Sequence, residues 1–177
     1  TEVGFKVVAI SDSRSGVYDK NGIDLDRALK NKKEKGTVSY GKTISNEELL
    51  ELDVDVLVPA ALENMVNEKN MVKIKAPIIV EMANGPLTQE AYEYLAKKGK
   101  VIVPDVFANS GGVIVSYLEW VQGKSGFWRS ESQVNDKLKV MMERAFEAIW
   151  KKSVEKKMPL KQAAFEVAIG RITSAMV

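Results

Sequence analysis

Four polar clusters in this 177-residue chain each stand directly after a short apolar run. Ser11-Asp12-Ser13-Arg14 follows FKVVAI, and Pro59-Ala60-Ala61 follows DVLV. Ala83-Asn84-Gly85-Pro86 follows IIVEM, and Asn109-Ser110-Gly111-Gly112 comes shortly after VIVPD. In open parallel sheets, ligands bind in the crevice beyond the carboxyl ends of the strands. An acid in that place can accept hydrogen bonds from the diol of an adenosine ribose, which gives Asp12 a role; a solvated turn acid is the competing reading. Arg14 can hold a 2′-phosphate or simply stand exposed. Asn84 can hydrogen-bond a ribose or a carboxamide, although Asn-Gly-Pro is also ordinary turn chemistry. Ala60 and Ala61 leave room for a flat ring against the backbone, although small residues at a strand end are also unremarkable.

The glycine pair at 111–112 opens a helical pattern, GGVIVSYLEW, and a helix start made of small residues offers free backbone N–H groups to an anion or polar ligand. Ser116 lies one turn further on, with Gly112, Val113 and Trp120 at helical spacing on its face. Its hydroxyl can reach a carboxylate held there, or bond back to the carbonyl of Gly112, a common habit of mid-helix serine. A GxGxxG turn is absent from the sequence, so the phosphate-binding first turn of a dinucleotide fold is not encoded here.

Composition narrows the chemistry. The chain has no cysteine and no histidine, which removes Cys/His zinc sites and Ser-His or Cys-His nucleophile systems. It also points to a reducing compartment, so a cytoplasmic location is expected. A net charge of +2 from 26 basic and 24 acidic residues, well interspersed, gives no case for nucleic acid or a membrane surface as partner. No apolar run approaches the roughly 18 residues that a membrane span needs. Thr1 opens the chain in place of methionine, and the sequence reads as a fragment.

The elements that must position these residues follow from periodicity. The runs at 5–10, 54–60, 77–83 and 101–104 are Val/Ile-rich, and most lack polar alternation, as strands covered on both faces do. Helices begin after Asp24, after Ser45 with Glu48 as a capping box, and after Thr88, the last ending at Gly99. Strands alternating with helices predict an α/β fold: three layers, a mostly parallel sheet, then C-terminal helices. One long helix is predicted from Ser130 to about Lys157. Val134, Leu138, Met141, Met142, Ala145, Phe146, Ile149 and Trp150 form its inward stripe. A second runs from Leu160, with Ala163, Ala164, Val167, Ala168 and Ile172 inward.

In order, the stretches VVAISDSRSGVYDKNGIDL, ISNEELLELDVDVLVPAALEN, IVEMANGP, VIVPDVFANSGGVIVSYLEWVQ and AAFEVAIGRI cover nearly the whole chain. Together they resemble the Rossmann-like cofactor-binding domain and C-terminal helices of hexameric bacterial and archaeal glutamate dehydrogenases, within the Glu/Leu/Phe/Val dehydrogenase superfamily. The resemblance implies an NAD- or NADP-dependent oxidative deamination of L-glutamate to 2-oxoglutarate and ammonia. Asp12, with Ser13 and Arg14, would be the ribose-binding acid and its neighbours. Ala60 and Ala61 would flank the cofactor, Asn84 and Asn109 would lie near the nicotinamide and its ribose, and Val113 and Ser116 would line the pocket for the substrate side-chain carboxylate. Ser110 departs from the alanine usual in this family.

The same resemblance assigns no catalytic group and no metal to this chain. The family's lysine and its partner aspartate lie in an N-terminal substrate domain with no counterpart here. The first strand and its glycine-rich turn have none either; in the 3-2-1-4-5-6 strand order that strand is central. The implied division is an incomplete dinucleotide-binding domain at 1–125 and a helical segment packed on it at 126–177. A homo-oligomer is expected of the full-length protein, and no turnover of the isolated chain. Two other readings stand beside this one: a catalytically dead relative with a binding or regulatory role, and a dehydrogenase acting on leucine, valine or phenylalanine.

Overall fold

The turn residues of SDSRSG decide the first part of the fold. In the computed structural model, which describes residues 4–176, Asp12 Oδ1 accepts the backbone N–H groups of Arg14 (2.9 Å) and Ser15 (3.4 Å). This is an aspartate turn, and it folds the chain straight back on itself. Strand β1 (Ala9–Ser11) thus pairs antiparallel with β2 (Gly16–Tyr18). Gly16 fits tightly there: a Cβ would meet Ser11 Cβ at 3.0 Å and the Ile10 carbonyl oxygen at 3.1 Å. Helix α1 (Leu25–Lys35) follows its predicted cap Asp24 and ends at Gly36, in the left-handed region at φ 73°. Strand β3 (Thr43–Ile44) completes an antiparallel sheet in the order β1-β2-β3, and α2 (Asn46–Leu50) carries the predicted Ser45–Glu48 capping box.

That hairpin corrects one expectation. The FKVVAI run contributes only Ala9 and Ile10 to a strand, and its partner is antiparallel. Composition alone cannot distinguish a buried parallel strand from one arm of a short hairpin; the Asp12 turn makes the choice.

These elements, with Glu68–Ala76, form one of two units; Asp55–Asn67 and the chain from Pro77 onward form the other. In the second unit β4 (Val56–Leu57), β5 (Ile78–Val80) and β6 (Val101–Val103) make a parallel sheet in that order. Between the last two lies α3 (Gln89–Lys97), capped by Thr88 and burying Ala91, Tyr92 and Leu95. Then come α4 (Asp105–Ala108), α5 (Gly111–Ser125), α6 (Glu131–Lys156) and α7 (Leu160–Ala175). The α/β class, the parallel sheet and the C-terminal helices are as the sequence leads one to expect. Among the described residues no helix is long and apolar enough to cross a membrane.

Helices α6 and α7 close on Ile149, Leu160, Ala163 and Ala164, with Val103 of the sheet and Phe107 against them. The small alanines allow close approach of the two helices. The predicted stripes are wider than this core: of the α6 residues only Ile149 is buried. Trp150 remains 47% exposed and Ile172 61%. Ile172 was expected to face inward and does not, because the packing surface of α7 ends a turn earlier.

Asp12 holds more than its own turn. Its second oxygen, Oδ2, accepts from Val38 N (2.9 Å) and Lys32 Nζ (2.7 Å), so hairpin, α1 and the segment after it meet on one carboxylate. Burial opposes the charged form, but these four donors outweigh it and hold the carboxyl well below its ordinary range. Lys32 is 44% exposed, so its ion pair contributes at most about 1 kcal/mol. The backbone bonds to a charged acceptor matter more, about 1.5–3 kcal/mol. Asp12→Asn should therefore lower the unfolding free energy by about 1.5–3 kcal/mol near neutral pH. A depressed carboxyl stabilises above its unfolded value of 3.8 and loses that contribution as pH falls towards its folded one. Urea unfolding of both proteins should thus give curves that are apart at neutral pH and converge as pH drops below about 4.

Candidate functional site

Parallel strands deliver their carboxyl ends to one edge, and hydrogen bonds lock the loops leaving that edge together. The Pro59 carbonyl, after β4, accepts the N–H groups of Met82 and Ala83, both at 3.0 Å. Gly85, at φ 54°, turns the Ala83–Pro86 loop and gives its N–H to Asp105 Oδ2 at 2.9 Å. Its carbonyl accepts from Asn64 N at 2.9 Å, and Val66 and Thr88 continue the zip. Three loops are thereby fixed with little freedom of their own.

Helix α4 is one turn long and delivers Asn109 at its C-terminal end. The Asn109 Nδ2 group donates to Asn84 Oδ1 at 2.8 Å, so the two asparagines from separate loops form a pair. That bond uses one donor and one acceptor. The Asn84 amide group and the Asn109 carbonyl oxygen are left as an adjacent donor and acceptor, the complement of a carboxamide or of a ribose hydroxyl.

An open groove of about 860 Å³ lies over this pair. Asn84, Asn109, Gly112, Val113 and Ser116 line it from the loops and from α5. Ala61, Leu62, Glu63, Met82 and Ala83 complete the wall. A Cβ built on Gly112 would meet nothing within 4 Å, so no protein contact demands glycine there; the room above its backbone belongs to the groove. Gly111 differs little, its Cβ position being 3.8 Å from Leu138 Cδ1. Ser116 is exposed, and its hydroxyl has no hydrogen-bond partner among the described residues. The back-bond to the Gly112 carbonyl is not made. Val113, 73% exposed, presents an apolar surface one turn before it.

The sequence-predicted residues thus divide. Ala61, Asn84, Asn109, Val113 and Ser116 share one groove; Ala60 is exposed beside it without lining it. Asp12, Ser13 and Arg14 belong to the other unit and form their own cluster. There Asp12 has all four lone-pair directions taken by protein donors. Arg14 Nη1 donates to the Lys35 carbonyl at the end of α1, while Ser13 stands exposed at the turn. Asp12 as it stands is a clasp within its own unit.

Sequence reasoning missed Leu62, Glu63 and Met82 as lining residues. Their signal was position alone: Leu62 and Glu63 lie one and two residues beyond Ala61, and Met82 directly precedes Ala83.

The model of the Glutamate/Leucine/Phenylalanine/Valine dehydrogenase family matches residues 1–177. The chain is 49% identical to a glutamate dehydrogenase of Thermotoga maritima, over 98% of this chain and 42% of that protein. It is 46% identical to an NAD-specific glutamate dehydrogenase of Staphylococcus aureus, with the same coverage of 98% and 42%. Among solved structures, a hetero-hexameric glutamate dehydrogenase of Thermus thermophilus in a leucine-bound form superposes with a TM-score of 0.92 at 31% identity, covering 98% of this chain and 42% of that one. The enzyme of Peptoniphilus asaccharolyticus gives 0.84 at 33% identity, over 99% and 41%. The chain therefore spans about two fifths of the length of these relatives, and over that length it belongs to the Glutamate/Leucine/Phenylalanine/Valine dehydrogenase family.

Proposed function

We propose that this chain is the cofactor-binding portion of an NAD(P)-dependent glutamate dehydrogenase, which deaminates L-glutamate oxidatively to 2-oxoglutarate and ammonia. The observation that carries this reading is the groove at the carboxyl ends of the parallel strands, where a paired Asn84–Asn109 faces the unpartnered hydroxyl of Ser116. The names of the relatives support the choice of glutamate and of a nicotinamide cofactor. Residues 1–125 then act as an incomplete dinucleotide-binding domain, and 126–177 as a helical segment packed on it. The substrate domain lies elsewhere in a longer, oligomeric protein.

The residues present fit such a cofactor. Asn84 and Asn109 would hold its carboxamide and adjoining ribose, and the small side chains of Ala61 and Ala83, with Gly112, leave a flat ring access to the backbone. When bound, the nicotinamide supplies the hydride acceptor. By the resemblance alone, Asp12, Ser13 and Arg14 are proposed for an adenosine ribose, with either a 2′-hydroxyl or a 2′-phosphate. Val113 packs against the aliphatic part of glutamate, and the Ser116 hydroxyl donates to its side-chain carboxylate. No side chain of the groove is assigned the proton transfer from the substrate amine, which needs a positioned base of suitable pKa. By the resemblance, that base is a lysine of the substrate domain.

The test is a comparison of full-length wild type with Ser116→Ala. Removing one donor from a carboxylate in a partly closed pocket should cost about 1.5–3 kcal/mol, a loss of roughly 10- to 150-fold in kcat/KM for glutamate. Affinity for the cofactor should stay the same. Discrimination against norvaline should fall, since the polar demand of the pocket has dropped. An unchanged ratio of the two kcat/KM values would remove Ser116 from the site. The isolated 177-residue chain should not turn over, and steady NADH production by it would contradict the assignment of the base to another domain.

A further inference from the structure

Glu81 directly follows strand β5, inside the apolar run Pro77–Ala83, and is wholly buried, at 0% exposure. A carboxylate taken out of water is costly unless it is paired and hydrogen-bonded. Its Oε2 accepts the N–H of Asp105 at 3.1 Å and lies 3.7 Å from Lys161 Nζ, on α7. The same ammonium is 3.9 Å from Asp105 Oδ1 and 5.2 Å above the ring of Tyr92, on α3. Glu81 Oε1 is buried without a hydrogen-bond partner among the described residues. Burial pushes the Glu81 carboxyl up, against the opposing pull of Lys161 and of the Asp105 N–H.

Such a cluster is a poor stabiliser, because well-packed apolar side chains of similar volume usually do as well or better. Its geometry suggests what it does instead. Glu81 takes the first N–H of α4, whose far end carries Asn109. Asp105, held by the same lysine, takes the N–H of Gly85, the residue next to Asn84. Each asparagine of the groove therefore hangs from a segment that this cluster anchors.

We infer that Glu81, Lys161 and Asp105 form a positioning cluster that sets the Asn84–Asn109 pair and thereby ties the C-terminal helix α7 to the cofactor groove. This rests on the cofactor reading above for its functional half only. The three residues touch neither cofactor nor substrate; they act through the two asparagines. A shift of about 1 Å in groups that orient a reactant is enough to cost roughly 100-fold in rate, so their effect on function exceeds their effect on stability.

Two variants break the cluster without emptying the space: Lys161→Met and Glu81→Gln. Lys161→Arg keeps the cation and serves as the rescue. In the labelled full-length protein, amide hydrogen exchange at Gly85 should accelerate about ten-fold in Lys161→Met and Glu81→Gln, as expected for a weakened bond to a charged acceptor. The Asn109 side-chain amide resonances should move towards those of a free amide, while Ile79 and Leu95 keep their protection. Lys161→Arg should return both signals to wild type. In the full-length protein, the same two broken variants should bind NADH about ten-fold more weakly, and Lys161→Arg should bind it as wild type does. Equal acceleration at Gly85, Ile79 and Leu95 would overturn the inference, since the cluster would then be supporting the fold at large. Unchanged Gly85 exchange, or faster Gly85 exchange with NADH affinity kept, would overturn it as well. Wild-type full-length protein that fails to bind NADH would instead sink the cofactor reading, and the exchange measurements would still decide whether the cluster positions the pair.

Discussion

The bond from Gly85 N–H to the Asp105 carboxylate joins the loop after β5 to the first turn of α4, and the candidate site depends on it. Parallel pairing brings the strand ends to one edge, but it leaves the loops beyond them free to splay. A charge-assisted bond between backbone and carboxylate removes that freedom at one point, and the Asn84–Asn109 contact then closes the gap a turn further on. The left-handed φ of 54° at Gly85 serves the same end, since it aims the N–H inward while turning the chain. What results is a pair of amides held by scaffold segments rather than by one mobile loop.

Above that pair the site is shaped by what is left out. Ala61, Ala83 and Gly112 contribute little bulk, and the space over Gly112 is empty of protein. Ser116 rises into the same space with its hydroxyl uncommitted. A helix that begins with two glycines has weak local propensity, so α5 stands on its packing against α6 and on the turn of α4 before it. The groove lies over the part of the helix that intrinsic stability favours least.

Much of this was legible from residue order. Ser45, Thr88 and Ser130 announced their helices because a capping side chain acts on neighbours three residues away, and local chemistry is visible in a sequence. Asn84, Asn109 and Ser116 could be read as groove residues because strand ends in a parallel sheet converge by topology. The fate of FKVVAI was not legible, since a buried strand and a hairpin arm share one composition. The clasp that Asp12 makes was hidden for a related reason: its partners Lys32 and Val38 are 20 and 26 residues away. Glu81 had one signal, an acid within an apolar run, and nothing local names Lys161, 80 positions on, as its counter-ion. The outward stripe of α7 shows the same limit, because periodicity finds a face and cannot say how far along the helix that face is covered.

The central claim is that the groove over the asparagine pair holds the nicotinamide and the glutamate side chain together. A crystal structure of the full-length protein with NAD and glutamate tests it most directly. The account predicts the carboxamide or its ribose within hydrogen-bond reach of Asn84 and Asn109, about 3 Å, and the side-chain carboxylate at a similar distance from Ser116 Oγ. A cofactor seated away from the asparagine pair, or a groove filled by another part of the polypeptide with Ser116 bonded to protein, would contradict it.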